Sequence, residues 1–119
     1  VMTSFADAYR VDIVPTTGGY LAVSETVKRR CSALTKGSTS MWVGIASQGK
    51  LGMQGRWNSK YKKLGMSKMA VLYQTSSDEF RKKLETELTR FYGDKLDNIN
   101  AGGGGGIGTP PYVVYVAWN

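Results

Sequence analysis

A single compact α/β domain, with a small central sheet flanked by helices, is the architecture this sequence predicts, and three observations predict it. Three β-prone apolar runs, Met41–Ala46, Met69–Thr75 and Tyr112–Trp118, are each bounded by turn residues. Between the second and the third, Phe80, Leu84, Leu88 and Phe91 recur at helical spacing and mark one buried stripe. The length, 119 residues, suits one domain with a modest core and leaves little room for a second.

Taken in order, the N-terminal extension over residues 1–17 alternates along Tyr9–Val14 as a strand does, and Pro15 stops it. Gly18 and Gly19 turn the chain into a second short apolar run, Tyr20–Val23. From Ser24 to Cys31 the pattern fits a helical turn or an edge strand equally well. Lys36–Ser40 is a turn, and Met41–Ala46 follows as a buried strand. Gln48–Gly55 carries three glycines and reads as a loop, so Arg56 opens a short basic helix that Gly65 ends. Met69–Thr75 is the next strand. Ser76 with Glu79 three residues on forms a capping box, predicting a helix from about Ser77 to Tyr92 that Gly93 closes with a left-handed cap. The glycine run Gly102–Gly106 either lets a backbone approach a ligand closely or serves as a linker. No Gly-Lys-Ser/Thr ending follows it, so the phosphate-binding loop of nucleotide hydrolases is not indicated. Pro110 and Pro111 lead into the last strand, over 112–118.

Charge narrows the partners. The chain carries a net charge of +7, and from Thr26 to Ser77 it holds ten Lys and Arg but no Asp or Glu. Such a surface concentrates polyanions, nucleic acid first and an anionic membrane surface second. A broad apolar face on a basic helix, which membrane-surface binding needs, is not evident. There is no apolar run of about 18 residues that would span a bilayer, and no secretory leader pattern at the start. Cys31 is the single cysteine, which excludes an intrachain disulfide and a thiolate zinc cluster. A soluble protein of a reducing compartment, cytoplasmic or nuclear, is the expectation. Histidine is absent, and with it go the Ser-His and Cys-His nucleophile pairs and most transition-metal sites. Chemistry here has to rest on Tyr, Lys, Arg, Glu and Asp.

Glu85 and Glu87 fall on opposite flanks of the predicted helix, so one of them at most faces a given cleft. The plain alternative is that each forms an i,i+4 surface pair, Glu85 with Arg81 and Glu87 with Lys83. The sharper reading is a ligand for Mg²⁺ or Mn²⁺, because a hard cation binds through one or two carboxylates and keeps several waters. Arg56 is the one arginine between Arg30 and Arg81, and its planar fork suits bidentate contact with phosphate. Lys60, Lys62, Lys63 and Lys68, interleaved with Trp57 and Tyr61, have the composition of a surface that neutralises phosphates and stacks on bases. A solvated charged face is the plain alternative there.

In this order the motifs resemble the GIY-YIG nuclease family. Trp42-Val43-Gly44 stands where the second signature triad would be, with Trp in place of Tyr; Arg56 follows, then Leu84-Glu85-Thr86-Glu87-Leu88, then Asn98-Ile99-Asn100. The resemblance covers about Gly18 to Gly108 and implies a mainly antiparallel sheet, with the two triads on a β-hairpin. It also implies a divalent-metal-dependent endonuclease acting on nucleic acid, DNA ahead of RNA. Carried across, Arg56 steadies the scissile phosphate and Glu85 holds Mg²⁺ or Mn²⁺, since Leu-Glu with Leu three residues later is the family's local pattern. Gly44 supports the triad strand, Trp42 lies on the nucleic-acid side with the lysines, and the supporting asparagine is Asn98 or Asn100. The first triad maps to Gly18-Gly19-Tyr20, making Tyr20 the tyrosine that helps deprotonate the attacking water, with residues 24–40 as an insertion. Family spacing would otherwise put Cys31 in that place. The competing expectation is a non-catalytic nucleic-acid-binding or regulatory protein on the same scaffold.

Overall fold

The computed structural model describes residues 2–96 and 108–119. Its centre is a three-stranded, wholly antiparallel sheet of β1 (Met41–Ala46), β2 (Lys68–Thr75) and β3 (Tyr112–Trp118), in the order β1-β3-β2. The last strand in sequence is thus the middle strand in space. Every residue of β3 is buried, as its unbroken apolar run requires when both faces of a sheet are covered. Alternation divides it: Val114, Val116 and Trp118 enter one core, while Val113, Tyr115 and Ala117 enter the other.

Two long helices, α2 (Tyr20–Leu34) and α4 (Asp78–Tyr92), contribute to the first core through Val27, Cys31, Leu84, Leu88 and Tyr92. The second core is closed by the short α1 (Phe5–Ala8), by α3 (Gly49–Arg56) and by one π-helical turn, Trp57–Tyr61, that continues α3. Among the described residues no helix is long and apolar enough to cross a membrane.

Four sequence expectations are corrected. The alternation of Tyr9–Val14 does not make a strand; Tyr9 and Thr16 make isolated parallel bridges to Met69 and Tyr73 of β2, and Val11 and Val14 lie exposed between them. Tyr20–Val23 begins a helix of 15 residues rather than a short apolar strand, because Val23, Val27, Cys31 and Leu34 form a stripe that packs on the sheet. Gln48–Gly55 is mostly helix, so Arg56 ends α3 instead of opening a helix; Met53, Trp57 and Tyr61, four apart, make the buried stripe of the combined element. On α4 the cap is Ser77, whose Oγ accepts from the Phe80 amide at 3.1 Å, and Phe91 turns outward while Tyr92 takes the buried place. Gly93 does close α4, at φ 52°, but its ψ of −119° lies outside the left-handed helical conformation expected of the cap.

Candidate functional site

β1 and β3 pair so that Gly44 lies opposite Tyr115. A side chain at Gly44 would collide with the Tyr115 ring, since a Cβ there would stand 2.4 Å from its Oη. A glycine inside a strand is the local sign of such an approach. The space lets Tyr115 lie across β1 and reach Tyr61 on the π turn, hydroxyl to hydroxyl, at 2.9 Å. Both rings are 2% exposed and meet edge to face.

Arg56, exposed at the end of α3, acts electrostatically on Tyr61, on Tyr115 and on Glu85. Glu85 reaches this cluster from α4. It is 5% exposed, and its Oε1 has no hydrogen-bond partner among the described residues. Burial pushes its carboxyl above the ordinary range, and the Arg81 and Arg56 charges oppose that shift. Burial likewise raises both tyrosines, Tyr115 strongly; Arg56 pulls each of them back and Glu85 pushes each of them up. The expected partners Arg56 and Glu85 are therefore brought within electrostatic reach of one another. Among the described residues the ion pairs differ from the two i,i+4 pairs expected, with Arg81 on Asp78 at 2.6 Å, Lys83 on Glu79 at 2.9 Å and Glu87 on Lys28 at 3.2 Å, while the Arg81 charge still acts on Glu85.

Tyr20 does not join them. Its ring packs against Phe80 and under the Lys83 ammonium, and at about 100° per residue those two positions lie on the side of α4 opposite Glu85. The tyrosines that face Arg56 and Glu85 are Tyr61 and Tyr115. Tyr115 stands seventy residues and more from the residues it meets on β1 in sequence, so only the pairing of β3 beside β1 reveals it; the interior glycine was the one local signal.

Lys60, Lys62 and Lys63 follow Arg56 within one segment, with Lys60 and Lys63 exposed and Lys62 half-buried. Lys60 lies over the half-buried Trp42 ring at 4.4 Å, so that face of the indole is covered by a cation rather than open for stacking. Lys68 opens β2, exposed. Asn98 and Asn100 lie outside the described residues. Among those described, no three His, Cys, Asp or Glu side chains come together. Two buried carboxylate oxygens lack a hydrogen-bond partner among the described residues, Glu85 Oε1 and Glu87 Oε2; Glu85, the more deeply buried and the one on which Arg56 acts, is the residue that would hold a hard cation.

No family model, no curated protein and no solved structure matches this chain.

Proposed function

We propose that the chain is a divalent-metal-dependent endonuclease that hydrolyses phosphodiester bonds in nucleic acid, DNA ahead of RNA. The observation that carries the reading is the Glu85 carboxylate, 5% exposed with Oε1 unpartnered, on which the Arg56 charge acts; Glu87 Oε2 is likewise unpartnered, but its side chain is 33% exposed and pairs with Lys28. A natural core has no use for a stranded carboxylate, and groups held in this way cluster at functional sites. The hairpin that the GIY-YIG resemblance implies is not formed: Gly18-Gly19-Tyr20 leads into α2, and β1 is an edge strand paired with β3. The tyrosine beside β1 is Tyr115 of β3, so the proposal rests on Arg56, Glu85 and the tyrosine pair and not on the family's topology.

The roles follow from the chemistry of each group. Arg56 offers a planar fork to two oxygens of the scissile phosphate and stabilises the charge that grows on them. Glu85 would hold the cation, which would supply a water of lowered pKa and shield the phosphate charge. With both hydroxyls pushed up by burial, Tyr61 and Tyr115 are protonated at neutral pH. Neutral tyrosine is a weak base, so the pair works as a donor. One hydroxyl proton is committed to the partner and the other is left to hold the attacking water or a phosphate oxygen. Tyr115→Phe and Tyr61→Phe should each slow cleavage by about 10²-fold, and Tyr20→Phe should leave it unchanged. A Tyr20→Phe loss equal to theirs would return the role to Tyr20.

The basic segment supplies affinity without sequence information. Each neutralised phosphate adds roughly 0.9 to the log-log salt slope on duplex DNA, so replacing Lys60, Lys62 and Lys63 together by Ala should lower that slope by about 2 to 3. Fluorescence anisotropy over a salt series measures it, and a slope unchanged by the triple variant would remove this segment from the interface.

The test of the activity is cleavage of plasmid DNA and of RNA with Mg²⁺ or Mn²⁺ and with chelator. The mutual satisfaction of the two tyrosine hydroxyls favours a second reading, a nucleic-acid-binding protein without catalysis. Salt-sensitive binding with no cleavage under any divalent metal would establish that second reading in place of the first.

A further inference from the structure

Arg81 is fully buried, at 0% exposure, four residues before Glu85 on α4. Its Nε donates to Asp78 Oδ1 at 2.7 Å, and its Nη1 donates to the Ala46 carbonyl at 2.9 Å and to Ser47 Oγ at 3.0 Å. The guanidinium also lies over the Tyr112 ring at 4.3 Å. Burying an arginine carries a desolvation cost that an apolar side chain of similar volume would avoid. The Asp78 carboxylate offsets part of that cost within α4, and two further hydrogen bonds, to Ala46 and Ser47, fall on the turn that hands β1 to α3.

That turn is built without slack. Gln48 and Gly49 both adopt left-handed backbone, φ 59° and 56°, a conformation uncommon for a side chain such as Gln48. Their amides donate to the carbonyls of Thr109 and Pro111, each at 2.9 Å. Gly52 passes so near the Ser47 carbonyl that a Cβ would stand 1.8 Å from it, and a Cβ at Gly108 would stand 2.3 Å from Ser47 Oγ. The turn fixes the first residue of α3, and Arg56 is the last residue of α3. Arg81 fixes the turn to α4, which carries Glu85.

We infer that Arg81 is a positioning residue: by gripping the Ala46–Ser47 backbone and hydroxyl from α4, it sets the spacing between Glu85 and Arg56. The inference rests on the nuclease reading for its effect on rate, but its effect on the turn does not depend on that reading. Two variants test it. Arg81→Lys keeps a charge against Asp78 and loses the fork that spans Ala46 and Ser47. Ser47→Ala removes a single hydroxyl from a half-buried position, and the fold should tolerate it.

In Arg81→Lys the amides of Gln48 and Gly49 should exchange with deuterium at least about ten-fold faster than in the parent, while those of β3 keep their protection. For cleavage of duplex DNA, kcat should fall by about 10–100-fold with KM within about three-fold, the pattern of a misplaced catalytic group. Ser47→Ala should move both readouts the same way and by less. Turn amides that stay protected in both variants overturn the inference, as does parental kcat in both. A uniform loss of protection that includes β3 makes Arg81 a general stability residue, and if it occurs, kcat in Ser47→Ala decides: a parental value overturns the inference. A parent that cleaves nothing defeats the nuclease reading alone, because exchange at Gln48 and Gly49 still decides what Arg81 holds.

Discussion

Replacing Glu85 by Gln is expected to abolish metal-dependent cleavage and to make the protein more stable. The two effects have one cause. A carboxylate buried without a partner for Oε1 is held there against its own solvation, and burial raises its pKa above the unfolded value. The linkage sign follows: the folded state binds the proton more tightly, so Glu85 favours the fold most below its unfolded pKa. That contribution is lost as pH rises through the raised folded value, and at neutral pH the charge works against the fold. Gln keeps the size and removes the charge, so stability at pH 7 should rise by about 1 kcal/mol, or about 4 °C in Tm. Cleavage should fall by at least about 10³-fold, because the carboxylate proposed to hold the cation is gone. Millimolar Mg²⁺ should raise the Tm of the parent and not of the variant. Glu87→Gln is the comparison: its Oε2 is also unpartnered, but it pairs with Lys28 and faces the other flank of α4, so it should cleave like the parent. Arg81 cannot serve as a second comparison, since it is buried and holds the β1–α3 turn. If Glu85→Gln cleaves at the parental rate, the nuclease reading fails; if it is less stable than the parent, the carboxylate is not stranded.

What could be read from the sequence follows the reach of each signal. The three strands and α4 declare themselves locally, by β-prone runs between turns and by Leu84 and Leu88 at helical spacing. The helix α2 does not, because Tyr20–Val23 is four consecutive apolar residues that fit a short strand as well as a helix. Only Val27, Cys31 and Leu34, packing against a sheet built from distant segments, decide for the helix. At α3 the glycines Gly49, Gly52 and Gly55 read as loop by propensity, and at Gly52 the reason for glycine is tertiary, the passage over the Ser47 carbonyl. The site divides in the same way. Arg56 and Glu85 can be named as candidates from residue type and motif order, and in the fold the Arg56 charge acts on the Glu85 carboxyl. Tyr115 cannot be named in that way, because it lies on a strand that follows β1 by more than sixty residues and comes beside it only through the sheet pairing.

Gly44→Ala is expected to lower stability by about 2 kcal/mol, or about 8 °C in Tm, and to suppress cleavage through Tyr115. The new Cβ would stand 2.4 Å from Tyr115 Oη, 2.5 Å from Cζ and 2.9 Å from Cε1. The ring has no open space to enter, being 2% exposed and joined to Tyr61. Relief from the lower chain entropy of alanine, about 0.5–1 kcal/mol, is too small to offset that overlap. Second changes at Tyr115 separate packing from chemistry. Tyr115→Phe removes the oxygen and leaves Cζ in the way, so the double variant with Gly44→Ala should stay unstable. Tyr115→Leu clears the space, so that double variant should regain most of the lost stability and still cleave slowly, for want of the hydroxyl. Thermal unfolding and plasmid cleavage measured side by side read both. Gly55→Ala, on the exposed side of α3 with nothing within 4 Å, should instead stabilise by about 0.5–1 kcal/mol and leave cleavage intact. Parental stability in Gly44→Ala would mean that β1 and β3 do not pair in this register. Recovery of both stability and cleavage in Gly44→Ala with Tyr115→Leu would take the Tyr115 hydroxyl out of the chemistry and leave the ring as packing alone.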